Sequence, residues 1–139
     1  MVMATRQGQS VEYRLGDDHF GPFTVHTDQT PGDGGEGSAP SPFDLFLAAT
    51  ATCAGFYVAS FCRQRGIDPS ALHLIQRLEI DPATGHVAKI LIEIQLPPDF
   101  PPKYGTAVVR AAEQCTVKKH LEHPPAFEIA TSSLETAAG

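Results

Sequence analysis

Ser41-Pro42-Phe43-Asp44-Leu45-Phe46-Leu47-Ala48-Ala49-Thr50-Ala51-Thr52-Cys53-Ala54-Gly55-Phe56-Tyr57-Val58-Ala59-Ser60-Phe61 is the stretch on which the reading of this chain turns. Ser41 is a favourable N-cap. Pro42 suits the first helical position, where its missing N–H would be unpaired anyway. Helix propensity then runs to about Arg65, and Gly66 is the natural stop. Ala48, Ala49, Ala51, Ala54 and Gly55 are small enough to let another backbone approach closely. Apolar groups face nearly all directions, so the helix should be buried on most sides. A chain of 139 residues rarely surrounds a helix that long, so burial by a second copy, a homodimer, is expected. Asp44 interrupts the apolar run, and Thr50, Thr52, Gly55 and Ser60 dilute it. It therefore reads as a buried helix rather than a membrane span.

On the N-terminal side, Val11, Tyr13 and Leu15 alternate with Glu12, Arg14 and Gly16, a half-buried strand pattern. Phe23-Thr24-Val25-His26 is a second strand candidate, with Asp17-Asp18-His19 as the turn between them. Residues 30–40 form a loop by composition, read as mobile. Its glycines are no phosphate cradle, because the Gly-Lys-Ser/Thr ending is missing and Asp33 and Glu36 would repel phosphate. On the C-terminal side, residues 72–81 and 87–96 predict a hairpin. Leu74, Leu78 and Ile80 alternate with polar residues, as do Ile90, Ile92 and Ile94, and residues 81–86 carry turn chemistry. Pro97, Pro98, Pro101 and Pro102 end the second strand. A shorter helix follows from Tyr104 through Ala112, running into Cys115 and on towards Leu121. Ala126–Ala130 reads as a last strand. The whole is one domain over residues 1–139, with residues 1–8 and 132–139 loose.

Composition narrows the function classes. The net charge is −6 and the sequence pI about 5.4, which offers nothing to phosphate backbones or anionic membranes. The densest basic pair is Lys118-Lys119. Met1–Arg6 has no apolar run that could act as a signal peptide, and a cytoplasmic location is expected. Three cysteines in a reducing compartment point to redox or catalytic chemistry rather than structural bridges.

Cys53 lies mid-helix and shares a face with Phe46, Ala49, Phe56, Tyr57 and Ser60. A lone cysteine in that setting is usually a small buried hydrophobe. Cys115, at the end of a second apolar helical pattern, weakens that reading. Cys62 lies roughly 13 Å further along the first helix and about half a turn round, so it cannot bridge to Cys53. It reads as a bystander. His120 and His123 follow Cys115 at a spacing unfamiliar for zinc, and no metal site is expected. Cys53 as the nucleophile of a hydrolase, with a distant histidine as base, is a further possibility.

The segment Ser41–Cys53 resembles a signature of the OsmC/Ohr family (osmotically inducible protein C and organic hydroperoxide resistance protein). In that signature a proline-opened, Leu/Ala-rich helix carries a reactive cysteine. Cys115-Thr116-Val117-Lys118-Lys119-His120-Leu121 resembles the family's second, Cys-Pro-Val-x-x-x-Leu segment. The order of predicted elements agrees over nearly the whole chain, and Gly34-Gly35-Glu36 followed by Ser41-Pro42 looks more like the OsmC-like branch. The resemblance implies an α+β fold and an intertwined homodimer, with sheets wrapped around central helices and sites at the interface. It implies that Cys53 attacks an organic hydroperoxide, that Cys115 resolves the product as a disulfide, and that a dithiol reductant restores the pair. No cofactor is implied. The pairing places the Cys53 and Cys115 Cα atoms within about 7 Å, or one rotamer change from bonding.

Three positions depart from the family pattern. Phe43 stands where hydroperoxide reductases of the family carry a Glu, no Arg occurs between Arg14 and Arg63, and Thr116 replaces a Pro. Without a cation, burial should leave the Cys53 pKa near normal or raised, and turnover slow. Only Arg110, Lys118, Lys119 and His120 lie near a cysteine motif as substitutes. Two readings compete with the peroxidase: a non-catalytic relative binding a small apolar or thiol-reactive molecule at the dimer interface, and the Cys53 hydrolase.

Overall fold

The computed structural model of the protein describes residues 2–5, 8–15 and 20–133, with the backbone alone up to residue 22. Strands β1 (Val2–Thr5), β2 (Gly8–Leu15) and β3 (Phe20–Thr27) form an antiparallel meander. Val11 lies opposite Val25, and the register slips between Tyr13 and Leu15. The expected hairpin is therefore present, and its Asp17-Asp18-His19 turn lies outside the described residues. The N-terminal residues expected to be loose include β1, which pairs with β2 from Val2 opposite Val11 to Thr5 opposite Gly8. The sequence signal was weak because one paired edge suffices to order four residues of strand.

The glycine-rich loop is not mobile. Its centre is Asp28, 6% exposed. Its carboxylate accepts the N–H groups of Gln29, Glu36 and Ser38 at 2.8, 3.1 and 2.9 Å, and the Ser38 hydroxyl at 2.7 Å. These bonds hold the Asp28 pKa at about 2. Gly35 is required here, since a Cβ would lie 2.1 Å from the Gln29 carbonyl oxygen. The loop closes with the Asp28 N–H on the Pro40 carbonyl, and so delivers the chain to the N-cap at Ser41.

Helix α1 (Pro42–Arg63) starts where the sequence predicts. Ser41 accepts the Asp44 N–H, and Asp44 in return accepts the Ser41 N–H at 2.9 Å. Asp44 is thus a capping residue, held below the usual carboxylate range by the Ser41 hydroxyl and amide. Gly66, at φ +67°, adopts the left-handed turn that follows the helix. At 22 residues α1 is about 33 Å long.

Strands β4 (His73–Ile80) and β5 (Val87–Gln95) form the predicted central hairpin, with Leu74, Gln76 and Leu78 opposite Ile94, Ile92 and Ile90. That face meets α1: Leu74 lies over Gly55, and Gln76 Nε2 donates to Thr50 Oγ1 at 2.6 Å and to the Leu47 carbonyl at 3.1 Å. The other face carries cross-strand pairs Arg77–Glu93 and Lys89–Glu79.

The second helical region departs from expectation. It is two helices, α2 (Gly105–Ala112) and α3 (Thr116–Glu122), broken at residues 113–115. Cys115 ends no helix; it is the N-cap of α3. The core lies between α1, α2 and the Pro-rich connection. It contains Val58, Phe61, Cys62, Phe100 and Val108, flanked by Leu74, Ile94 and Tyr104. Burying a side chain such as Val58 or Val108 contributes about 1.5–3 kcal/mol. Residues 126–130 are not a strand. They have no regular secondary structure and no strand partner among the described residues, and Phe127 and Ile129 are 88% and 94% exposed.

Only one stripe of α1, from Thr50 through Ala54, Val58, Phe61 and Cys62, is buried within the chain. Phe43 and Phe56 are 52% and 61% exposed. The helix has the length and hydropathy of a membrane span, with 28% of its most apolar window buried. Expected burial on most sides is therefore not met by this chain alone.

Candidate active site

Two elements build the site. Helix α1 supplies Cys53, which sits at the edge of the buried stripe, next to Ala54, and is only partly buried. The break before α3 supplies Cys115, which is 2% exposed. The two thiols are neighbours, close enough for each to influence the other's protonation. Cys62 lies elsewhere, fully buried in the hydrophobic core.

Cys115 is held as a neutral thiol. Burial pushes its pKa up, the Lys118 amide pulls the other way, and a charge on neighbouring Cys53 would push it further up. Its sulfur accepts the Lys118 N–H at 3.4 Å and lies 4.0 Å from the Thr50 carbonyl oxygen. Gln76 of β4 ties down this part of α1 through the Thr50 hydroxyl and the Leu47 carbonyl.

Cys53 is the opposite case, and it corrects the expectation of a near-normal or raised pKa. Partial burial, the largest influence, does raise it. The Val117 amide, the Cys115 thiol and the Thr116 amide together outweigh burial, and the pKa lies below the ordinary value. The donors are the first amides of α3, which have no partner inside their own helix. Among the described residues no cation contributes to this lowering. Lys118 pairs with Glu122 at 2.8 Å, Lys119 donates to Gln114 at 2.7 Å, His120 Nδ1 lies 2.8 Å from the Thr116 carbonyl, and Arg110 is exposed on α2. Arg65 stacks 3.8 Å above the Phe61 ring, and Arg77 is paired with Glu93.

The sequence reading found both cysteines but missed the amides of Thr116 and Val117, the Thr50–Gln76 tie, and Tyr57. Tyr57 Oη lies 3.0 Å from Thr116 Oγ1 and bridges the two elements. The available signal was Cys115 itself: a residue that caps a helix places its successors' amides beside its own side chain.

A cavity of about 350 Å³ opens against Cys115, between α1, β5, α2 and α3. Ala54, Ile92, Ile94, Val109 and Leu121 make its walls mainly apolar, and Glu113 and Lys118 add charge. Its size lies within the range of small-molecule sites. Among the described residues no three His, Cys, Asp or Glu side chains converge as a metal site would require.

The geometry accords with what the chain is similar to. A crystal structure of a protein assigned to the osmotic stress induced and detoxification response, from Psychrobacter arcticus 273-4, shares the fold with a TM-score of 0.68. The two are 20% identical over 86% of this chain and 84% of that one. No curated protein sequence matches significantly. Residues 35–130 match the family described as OsmC-like protein, a span that contains all of α1, the central hairpin and both interacting thiols, and the chain belongs to that family.

Proposed function

We propose that the protein is a thiol-dependent reductase of organic hydroperoxides, with Cys53 as the attacking thiol and Cys115 as the resolving one. The observation that carries this is the asymmetry of the neighbouring pair: a partly exposed thiol whose pKa is drawn below the ordinary value beside a buried thiol whose pKa is pushed above it. The Cys53 thiolate attacks the terminal oxygen of ROOH. The O–O bond breaks, the sulfur is oxidised to sulfenic acid, and the alkoxide leaves as ROH after taking a proton. The Cys115 thiol then condenses with the sulfenic acid to give a disulfide and water. A dithiol reduces that disulfide and is itself oxidised to one. The apolar cavity against Cys115 suits the carbon skeleton of such a substrate. Turnover stays below that of relatives with an arginine beside the thiol, because amides stabilise the thiolate but offer the leaving oxygen no cation. The role we assign is defence against oxidative stress in the cytoplasm, which agrees with three unbridged cysteines and with the stress response named for the structural neighbour.

The working unit we propose is a homodimer. Uncovered Phe43 and Phe56 on α1, and Phe127 and Ile129 on a segment with no strand partner among the described residues, are the surfaces a second copy would bury. Sedimentation at micromolar concentration should give a dimer, and a well-folded monomer would remove this part of the reading.

The chemistry is tested by mass spectrometry after one equivalent of an organic hydroperoxide. Rapid loss of the mass of two hydrogen atoms with a Cys53–Cys115 linked peptide is expected. Unchanged thiols would leave the second reading, which the same cavity favours: binding of a small apolar molecule without turnover.

A further inference from the structure

Tyr57 is one helical turn beyond Cys53 on α1, and Thr116 directly follows Cys115. The two hydroxyls meet at 3.0 Å across 59 residues of sequence. This is a second tie between α1 and the start of α3, beside the thiol pair. Thr116 offers the Cys53 sulfur its own amide N–H, and Val117 offers the next one. We propose that Thr116 and Tyr57 are positioning residues for the Cys53 thiol: the Tyr57–Thr116 hydroxyl bond fixes the first turn of α3 so that individual amides stay aimed at the sulfur. The argument concerns two located N–H groups and not a helix dipole, since α3 has only seven residues.

The bond has a geometric reason to matter. The backbone bonds of α2 run on to the Cys115 N–H, which donates to Ala112, and stop there, so contacts of side chains with α1 add to what holds the start of α3. Cys115 supplies one through its contacts to Thr50 and Lys118, of which the S–H contact to Thr50 ends when the sulfur is oxidised. The hydroxyl pair is untouched by thiol chemistry. It keeps the amides in register with Cys53 in both redox states, so the reduced pair re-forms with its donors in place.

The inference rests on the reading of Cys53 as the reactive thiol, but its test does not use peroxide. The readout is the pH profile of Cys53 alkylation by iodoacetamide, followed at the Cys53 peptide by mass spectrometry. Thr116→Pro fits the first position of α3 yet removes both the N–H and the hydroxyl. It should move the profile upward and slow alkylation at neutral pH by roughly three- to tenfold. Thr116→Val and Tyr57→Phe keep every N–H and lose only the clasp. Each should slow alkylation about twofold, and the double variant should be no worse than either single one, because both remove the same bond. Thr116→Ser, which keeps both groups, should retain the parent profile. An unmoved profile in Thr116→Val and Tyr57→Phe, or effects that add in the double variant, overturns the proposal. If hydroperoxide is not consumed while the profile moves as stated, the peroxidase reading fails and the positioning role stands.

Discussion

Helix α1 carries two cysteines nine residues apart, and their surroundings could hardly differ more. Cys62 is wrapped in Val58, Phe61, Phe100 and Val108, and burial raises its pKa although Arg65 and Arg63 pull the other way. Cys53 is also partly buried, and burial is again the largest influence, yet its pKa falls. The sign changes because the Val117 and Thr116 amides and the Cys115 thiol favour the charged form of the sulfur. Desolvation acts on every thiol in the chain, so what distinguishes a reactive one is the element packed against it. Hydrocarbon raises a thiol's pKa; first-turn amides lower it.

The contrast is broken or upheld first by removing each sulfur at the active pair. Cys53→Ser should reduce hydroperoxide consumption to background, since no other thiol is both accessible and lowered in pKa. Substantial activity in that variant would transfer the chemistry to Cys115 or Cys62. Cys115→Ser should keep the first oxidation and lose catalytic turnover. A sulfenic acid on Cys53, trapped with a dimedone probe after one equivalent of hydroperoxide, is the expected product. Full turnover in Cys115→Ser with a dithiol reductant would show that resolution does not need the second cysteine.

What was legible in the sequence follows the range of the interactions. Ser41-Pro42 and Gly66 mark the ends of α1 by local backbone rules, and alternation fixed the facing residues of β4 and β5. The break at Cys115 was not legible, because Ala112-Glu113-Gln114 contains no glycine or proline to announce it. Ala126–Ala130 has strand periodicity, but a strand exists only against a partner, and none is offered within the described residues. The lowered pKa of Cys53 depends on amides more than sixty positions away, which no local pattern encodes. The two cysteines were found from motif resemblance; the groups that make them unequal required coordinates.

A smaller effect separates the two ends of α1 by pH. Asp28 has its pKa depressed to about 2, by the Ser38 amide and hydroxyl first and the Glu36 and Gln29 amides after. A depressed carboxylate contributes stability that is complete above its unfolded pKa of roughly 4 and is lost as pH falls through its folded value. The loop at residues 29–40 should therefore hold unchanged down to about pH 4 and loosen between there and about pH 2. Hydrogen exchange should rise in that window at the loop and the first turn of α1, while the Cys62 end stays protected. Asp28→Asn should produce the same local loosening at neutral pH. Equal loosening at both ends would show that the loop does not act as a separate clamp on the start of α1.

The smallest effect belongs to Cys62→Ala. The side chain is fully buried and makes no link to the thiol pair, so its loss is a packing change only. Deleting one sulfur from a close-packed core leaves a void near the size of a methyl group, at a cost of about 1 kcal/mol. For a chain of this length that lowers the melting temperature by about 3 °C. Cys62→Ser should be somewhat worse, because its hydroxyl needs a partner in an apolar setting, softened by the helix carbonyl one turn back. Neither change should alter the alkylation profile of Cys53 or the rate of hydroperoxide consumption. A melting curve beside a peroxide assay on the same preparation decides it. Loss of activity in Cys62→Ala without loss of fold would mean that the two ends of α1 are chemically coupled, and the comparison between its cysteines would have to be redrawn around that coupling.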